Sequence, residues 1–145
     1  MRFADLADGG RRLAEVLAPV LADDDLLVCI GEGGQVTGRA VAEALGREVV
    51  PVVTERTDDG VRVDLSGADV AGRSVVVVDD GVETGTAAQA AGAAIREAGA
   101  SRVVLAVPVC PKEAEAHLRL RYDDVIAVTR PLVRRSLHWH YETFA

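Results

Sequence analysis

The chain has 145 residues, with 16 Lys and Arg against 23 Asp and Glu, so its formal charge at pH 7 is -7; 49% of it is hydrophobic and 3% aromatic. That acidic balance speaks against nucleic acid or an anionic membrane as the main partner, while the apolar share and the length suffice for one domain, residues 1–145, with a real core. No apolar run reaches membrane-spanning length, and two cysteines without a signal peptide make the cytoplasm the expected compartment.

In chain order, Leu13, Val16, Leu17, Val20 and Leu21 recur at helical spacing and predict an amphipathic helix over about 9–21, shortened or kinked by Pro19. Leu26 to Ile30 reads as a buried strand. The stretch Gly31-Glu32-Gly33-Gly34-Gln35 reads as a loop leading into a helix over about 37–45. Val49 to Val53 is a second strand, and Pro51 within it hints at an edge position. From Thr54 to Leu65 apolar and polar residues alternate around Asp59-Gly60, the pattern of a β-hairpin with one solvated face, expected to stand off the main sheet as a small hood.

Val75-Val76-Val77-Val78 is a run of β-branched residues, as in a parallel strand buried on both faces. Asp79 and Asp80 follow, then Gly81-Val82-Glu83-Thr84-Gly85-Thr86 and an alanine-rich helix over about 87–98 that stops at Gly99. Thr86 with Gln89 has capping-box spacing. A glycine- and threonine-bearing loop before a helix N-terminus offers free N–H groups to an anion. The adjacent carboxylates can accept from sugar hydroxyls or hold a divalent cation. Val103 to Val107 and Asp124 to Val128 are two further strands, with a stiff turn over 108–111 and a helix over 112–119 between them. Strands alternating with helices imply a doubly wound, mainly parallel five-stranded sheet flanked by helices; in the order 2-1-3-4-5 the loops after the first and third strands meet at a switch point.

Two other phosphate-binding patterns fail on spacing. No Lys accompanies these glycines as a P-loop requires, and Val36 stands where a dinucleotide fingerprint needs its third glycine. A phosphoacceptor receiver domain would need an acidic pair after the first strand and a lysine after the fifth; Gly31-Glu32 and Thr129-Arg130 supply neither.

Val75 to Thr86 resembles the phosphoribosyl-pyrophosphate motif of the type I phosphoribosyltransferases: an apolar strand, two acids, two mostly apolar positions, then Thr-Gly-x-Thr. Gly81 occupies one of the positions that is often apolar. Phe3-Ala4-Asp5, Gly10 to Ala14, Val107-Pro108-Val109 and Tyr141 to Phe144 are similar to segments of a bacterial group within that family. The resemblance implies that Asp79 and Asp80 bind the ribose hydroxyls and help hold Mg²⁺. It implies further that Gly81, Val82, Glu83, Thr84, Gly85 and Thr86 form the 5-phosphate loop, and that Glu83 is a candidate general base. The implied reaction moves ribose 5-phosphate from phosphoribosyl pyrophosphate to a small nitrogenous base, and a homodimer is the implied assembly.

The loop expected to bind pyrophosphate often reads Arg-Gly-Gly in relatives; here it is Glu32-Gly33-Gly34. Two unit charges 4 Å apart interact by roughly 4 kcal/mol at an effective dielectric of 20, so an anion facing pyrophosphate would matter. The alternative is therefore a non-catalytic module that binds a nucleotide or phosphoribosyl pyrophosphate on the same fold. Arg56 and Arg62 on the hairpin are the cations available near the site. In the irregular tail from Arg130 to Ala145, His138 and His140 lack a third ligand for a metal. Trp139 or Tyr141 is expected to cover the cleft or a subunit interface. Cys29 reads as a core residue, and Cys110 lacks a base partner.

Overall fold

A computed structural model describes residues 1–144; Ala145, the last residue of the tail, lies outside the described residues. Strands β1 (Leu26–Ile30), β2 (Val50–Thr57), β3 (Gly60–Asp64), β4 (Ser74–Val78), β5 (Arg102–Val109) and β6 (Asp124–Thr129) form one sheet in the order β3-β2-β1-β4-β5-β6. All pairings are parallel except β2 with β3. Helices α1 (Leu6–Leu17), α2 (Glu32–Leu45), α3 (Thr86–Glu97) and α4 (Lys112–Leu118) complete the chain, with a 3₁₀ turn at Leu137–His140.

The valine run in β4 alternates between two cores. Val76 and Val78 pack with Leu13, Leu17, Cys29 and Val41 on the α1–α2 side. Val75 and Val77 pack with Ala91, Ile95 and Leu105 on the α3 side. Both faces of β4 are therefore dry, and each buried valine contributes roughly 1.5–3 kcal/mol of transfer free energy.

The five parallel strands have the expected 2-1-3-4-5 order, but the hairpin is not a separate hood. β2 runs unbroken through Thr57, and β3 adds antiparallel from Val53↔Asp64 to Thr57↔Gly60 as a sixth, edge strand. Alternation had marked a solvated face, and that face belongs to the sheet itself. Pro51 lies in β2 before β3 pairs, so its missing N–H disturbs no bond on that side. Likewise β5 continues through Pro108 to Val109, where a turn was expected.

α1 starts and ends earlier than its apolar spacing implies. Asp5 caps it by accepting from Asp8 N (2.7 Å), while Asp8 accepts from Ala4 N (3.0 Å), a reciprocal box built from two aspartates. The helix stops at Leu17: Ala18 still has helical backbone and donates to the Ala14 carbonyl, but Pro19 has no N–H with which to continue the ladder. α2 begins at Glu32 instead of near Thr37, so the glycine run is its first turn.

α1 crosses α2 at a small-residue contact: a β-carbon on Gly10 would lie 2.5 Å from the Thr37 carbonyl oxygen and 2.7 Å from Ala40 Cβ. Gly10→Ala is expected to destabilise the chain by about 1–3 kcal/mol through overpacking against backbone. Urea unfolding should show this as a lower midpoint at constant m-value; an unchanged midpoint would contradict the close crossing.

Candidate functional site

The carboxyl end of β4 delivers Asp79 and Asp80 to the N-terminus of α2. The fit requires glycine on the helix side. A β-carbon on Gly33 would overlap the Asp80 carboxylate, and one on Gly34 would lie 2.9 Å from Asp79 Oδ1. Asp79 Oδ1 also accepts from Asp80 N at 2.8 Å, which orients the first carboxylate against its own backbone. Burial pushes the Asp79 carboxyl well above the ordinary range, and the neighbouring Asp80 charge adds to it. Asp80 is raised too, chiefly by burial. The pair resists carrying two negative charges until something positive joins it.

Beyond the acids, the chain turns through Gly81–Gly85 into α3. Gly85 is the N-cap residue at φ 86°, a left-handed backbone that favours glycine, and Thr86 is the first helical residue. The capping box foreseen for Thr86 and Gln89 does not form, since Thr86 lies one position inside the helix. Its hydroxyl is 3.2 Å from that of Thr84, so both hydroxyls face one another across the loop. The last threonine of the resembled pattern falls at Ala87 here, and Thr86, one residue earlier, supplies the second hydroxyl instead.

Three bonds fix this loop from outside. Val82 N donates to the Val109 carbonyl (2.9 Å), Tyr122 Oη to the Ala88 carbonyl (2.6 Å), and Tyr141 Oη to the Asp80 carbonyl (2.5 Å). Tyr122 packs on Gly92 so closely that a β-carbon there would lie 2.8 Å from its ring. Neither tyrosine carries a local sequence signal for this role; both are recognisable only from the residues that the fold brings to them.

A cleft of about 190 Å³ is lined by Asp79, Gly81 through Ala88, Arg56 and Leu137. Of the two hairpin arginines, Arg56 is the one at the loop; Arg62 pairs with Glu55 at 2.7 Å on the exposed edge. Asp80 is packed against Gly33 and does not line this cleft. Glu32 is exposed on the first turn of α2, with Gly33 and Gly34 beside the acids, so the residues expected to form a pyrophosphate loop form a helix start. Glu83 is exposed, and its Oε1 accepts from Leu137 N at 2.5 Å. Leu137, which no motif pointed to, is thus part of the site. The one available signal was Gly81: a β-carbon there would overlap Leu137 Cδ1, and a missing side chain in a loop asks what comes close.

Tyr141 is buried and packed on Phe3, and Trp139 instead stacks outside with Arg135, whose guanidinium lies 4.4 Å from its ring centre. Cys29 and Cys110 are free and buried, and burial pushes each thiol up to about 11, which leaves them inert as nucleophiles at neutral pH. A larger groove, about 460 Å³, lies between α1 and α2 and shares no lining residue with this cleft. Among the described residues, no helix is long and apolar enough to cross a membrane.

Comparison with known proteins finds relatives that span most of the chain. Residues 5–133 match the profile of the phosphoribosyl transferase domain. The chain is 25% identical to Putative phosphoribosyl transferase Rv0571c of Mycobacterium tuberculosis over 98% of its own length, but spans only 43% of that relative. It is 31% identical to the adenine phosphoribosyltransferase of Mycolicibacterium smegmatis, covering 95% of this chain and 83% of that enzyme. The crystal structure of TT1426 from Thermus thermophilus superposes with a TM-score of 0.86 at 27% identity, over 100% of this chain and 92% of that one.

The raised carboxyls make a prediction about stability. Both bind protons more tightly in the folded than in the unfolded chain. Their contribution is therefore fully present below about pH 4 and is lost as pH rises through the raised folded values. Asp79→Asn keeps an oxygen for Asp80 N and removes the charge. Its melting temperature should exceed that of the unsubstituted chain at pH 7, with the gap narrowing toward pH 4. A variant that melts lower at pH 7 would contradict the strained pair.

Proposed function

Because this chain belongs to the phosphoribosyltransferase family, we propose that its cleft binds phosphoribosyl pyrophosphate and transfers ribose 5-phosphate to a small nitrogenous base, releasing pyrophosphate. The observation that carries this reading is the Gly81–Thr86 loop. It runs from a carboxylate pair into a helix N-terminus through a left-handed glycine, with two threonine hydroxyls and Arg56 around one cleft. Backbone N–H groups, hydroxyls and a guanidinium are the groups that hold a phosphate. Asp79 and Asp80 then accept from the ribose hydroxyls.

Phosphoribosyltransferases are typically Mg²⁺-dependent. The donors here fit that ion: Asp79 and Asp80 offer hard carboxylate oxygens, and no group of three His, Cys, Asp or Glu gathers among the described residues. Mg²⁺ is commonly held by one or two carboxylates with substrate phosphates completing its shell. When bound, it would neutralise charge on the pyrophosphate and on the crowded acids.

In the transfer, the acceptor nitrogen's lone pair forms the bond to C1. The bond from C1 to the pyrophosphate oxygen breaks, and its electron pair leaves with pyrophosphate. Positive charge that develops on the ribose ring is stabilised by the adjacent carboxylates, as in glycoside cleavage. Glu83 takes the acceptor's N–H proton through its second oxygen, the first being occupied by Leu137 N. Pyrophosphate release from phosphoribosyl pyrophosphate, measured across purines, pyrimidines and simple amides, tests the reading. Replacing both acids by asparagine should lower turnover by at least about 10²-fold. Activity that survives the double substitution would end these assignments.

One observation favours a second reading, binding without turnover. The first turn of α2 carries an exposed acid, Glu32, and a negative charge there would disfavour an anionic leaving group nearby. Under that reading, calorimetry finds tight binding of a 5-phosphoribosyl ligand and no turnover with any base. Glu32→Arg should tighten pyrophosphate binding by roughly tenfold, as expected for reversing one nearby charge in a partly screened site. Unchanged affinity would mean that Glu32 does not face the pyrophosphate.

A further inference from the structure

Leu137 is the one large apolar side chain from outside the loop that lines the cleft. It is held there from three directions. Its N–H donates to Glu83 Oε1 at 2.5 Å. Its Cδ1 occupies the space that a side chain on Gly81 would fill, and Val109 Cβ would lie 3.5 Å from a β-carbon there. Its apolar face packs against a small core of Phe3, Leu6, Val109 and Tyr141. Tyr141 in turn is bonded to the Asp80 carbonyl, so the segment that carries Leu137 is tied to both ends of the Asp80–Glu83 stretch.

Under the proposed arrangement, with ribose at the acids and its 5-phosphate in the loop, a base that reaches Glu83 comes up beside Leu137, because the two residues are bonded and line one cleft. We propose that Leu137 is a specificity-determining residue that sets the size of the base this cleft accepts. The inference rests on the phosphoribosyl reading of the cleft and names what limits its acceptor side. A wall tied by hydrogen bonds to the loop it faces cannot swing away freely, so excess size in the base is met as a clash. One methylene too many or too few in such a pocket changes affinity by about 10- to 200-fold.

The test compares Kd values for ribose 5-phosphate, uridine 5′-monophosphate and adenosine 5′-monophosphate, by calorimetry with Mg²⁺ present. It uses the unsubstituted chain, Leu137→Ala and Leu137→Phe. The ratio of the adenosine nucleotide Kd to the ribose 5-phosphate Kd should fall about tenfold in Leu137→Ala and rise in Leu137→Phe. The uridine nucleotide should change less. Leu137→Phe retains an apolar anchor and carries the test alone if the alanine variant loses its fold. If ribose 5-phosphate fails to bind the unsubstituted chain, the phosphoribosyl reading falls and this inference with it. If ribose 5-phosphate binds but neither ratio moves beyond about twofold, Leu137 does not set acceptor size and the phosphoribosyl reading stands.

Discussion

Two carboxylates pressed against a pair of glycines in the first turn of a helix are the constraint on which this structure turns. Asp79 and Asp80 leave β4 where the sheet ends, and α2 begins directly opposite them. The approach is possible because Gly33 and Gly34 present only backbone. Glycine is a poor helix former, costing about 1 kcal/mol per residue relative to alanine, so its use in the first turn needs a reason. The reason is space: any β-carbon would displace an acid. The same closeness buries the pair and raises both carboxyls, so the chain holds an unfavourable charge cluster that a cation would relieve.

The remainder of the site is arranged to hold that cluster and its loop still. β5 takes Val82 through a backbone bond, Tyr122 reaches the first turn of α3, and the tail returns to place Tyr141 on Asp80. Ligand-binding loops are usually mobile, and this one is braced by groups from three separate parts of the chain. Bracing matters for a phosphate cradle because N–H groups act as a fixed dipole array only when they do not have to be reorganised on binding.

Charge is placed against the chain's overall balance. A protein of net charge -7 repels anions at long range, so any attraction for one comes from short-range groups. The start of α3, the Thr84 and Thr86 hydroxyls and Arg56 supply it around the loop. Glu32 opposes it with an exposed negative charge at the start of α2. The two arginines of the hairpin diverge for a simple reason. Successive strand residues point to opposite faces, and pairing with Glu55 on the adjacent strand holds Arg62 at the sheet edge.

Much of the architecture was legible in local pattern. The run Val75 to Val78 can be dry on both faces only in a central parallel strand. The acids, glycines and threonines that follow it carry their chemistry in residue type and spacing, which survive any choice of tertiary detail. Elsewhere local pattern misled or was silent. Gly31 to Gln35 looked like a loop because glycine's intrinsic preference opposes helix, and only contact with Asp79 and Asp80 overrides it. The hairpin looked detached because alternation records one wet face without recording which sheet owns the other. Leu137 and Tyr141 meet Glu83 and Asp80 across 54 and 61 residues of chain. No periodicity spans such distances. Residue order alone was enough for the strand, the acid pair and the glycines and hydroxyls of the loop, because these depend on neighbours along the chain. The wall of the cleft and the partner of each carboxylate were decided by tertiary structure, because they depend on which distant backbone the packed helices leave room for.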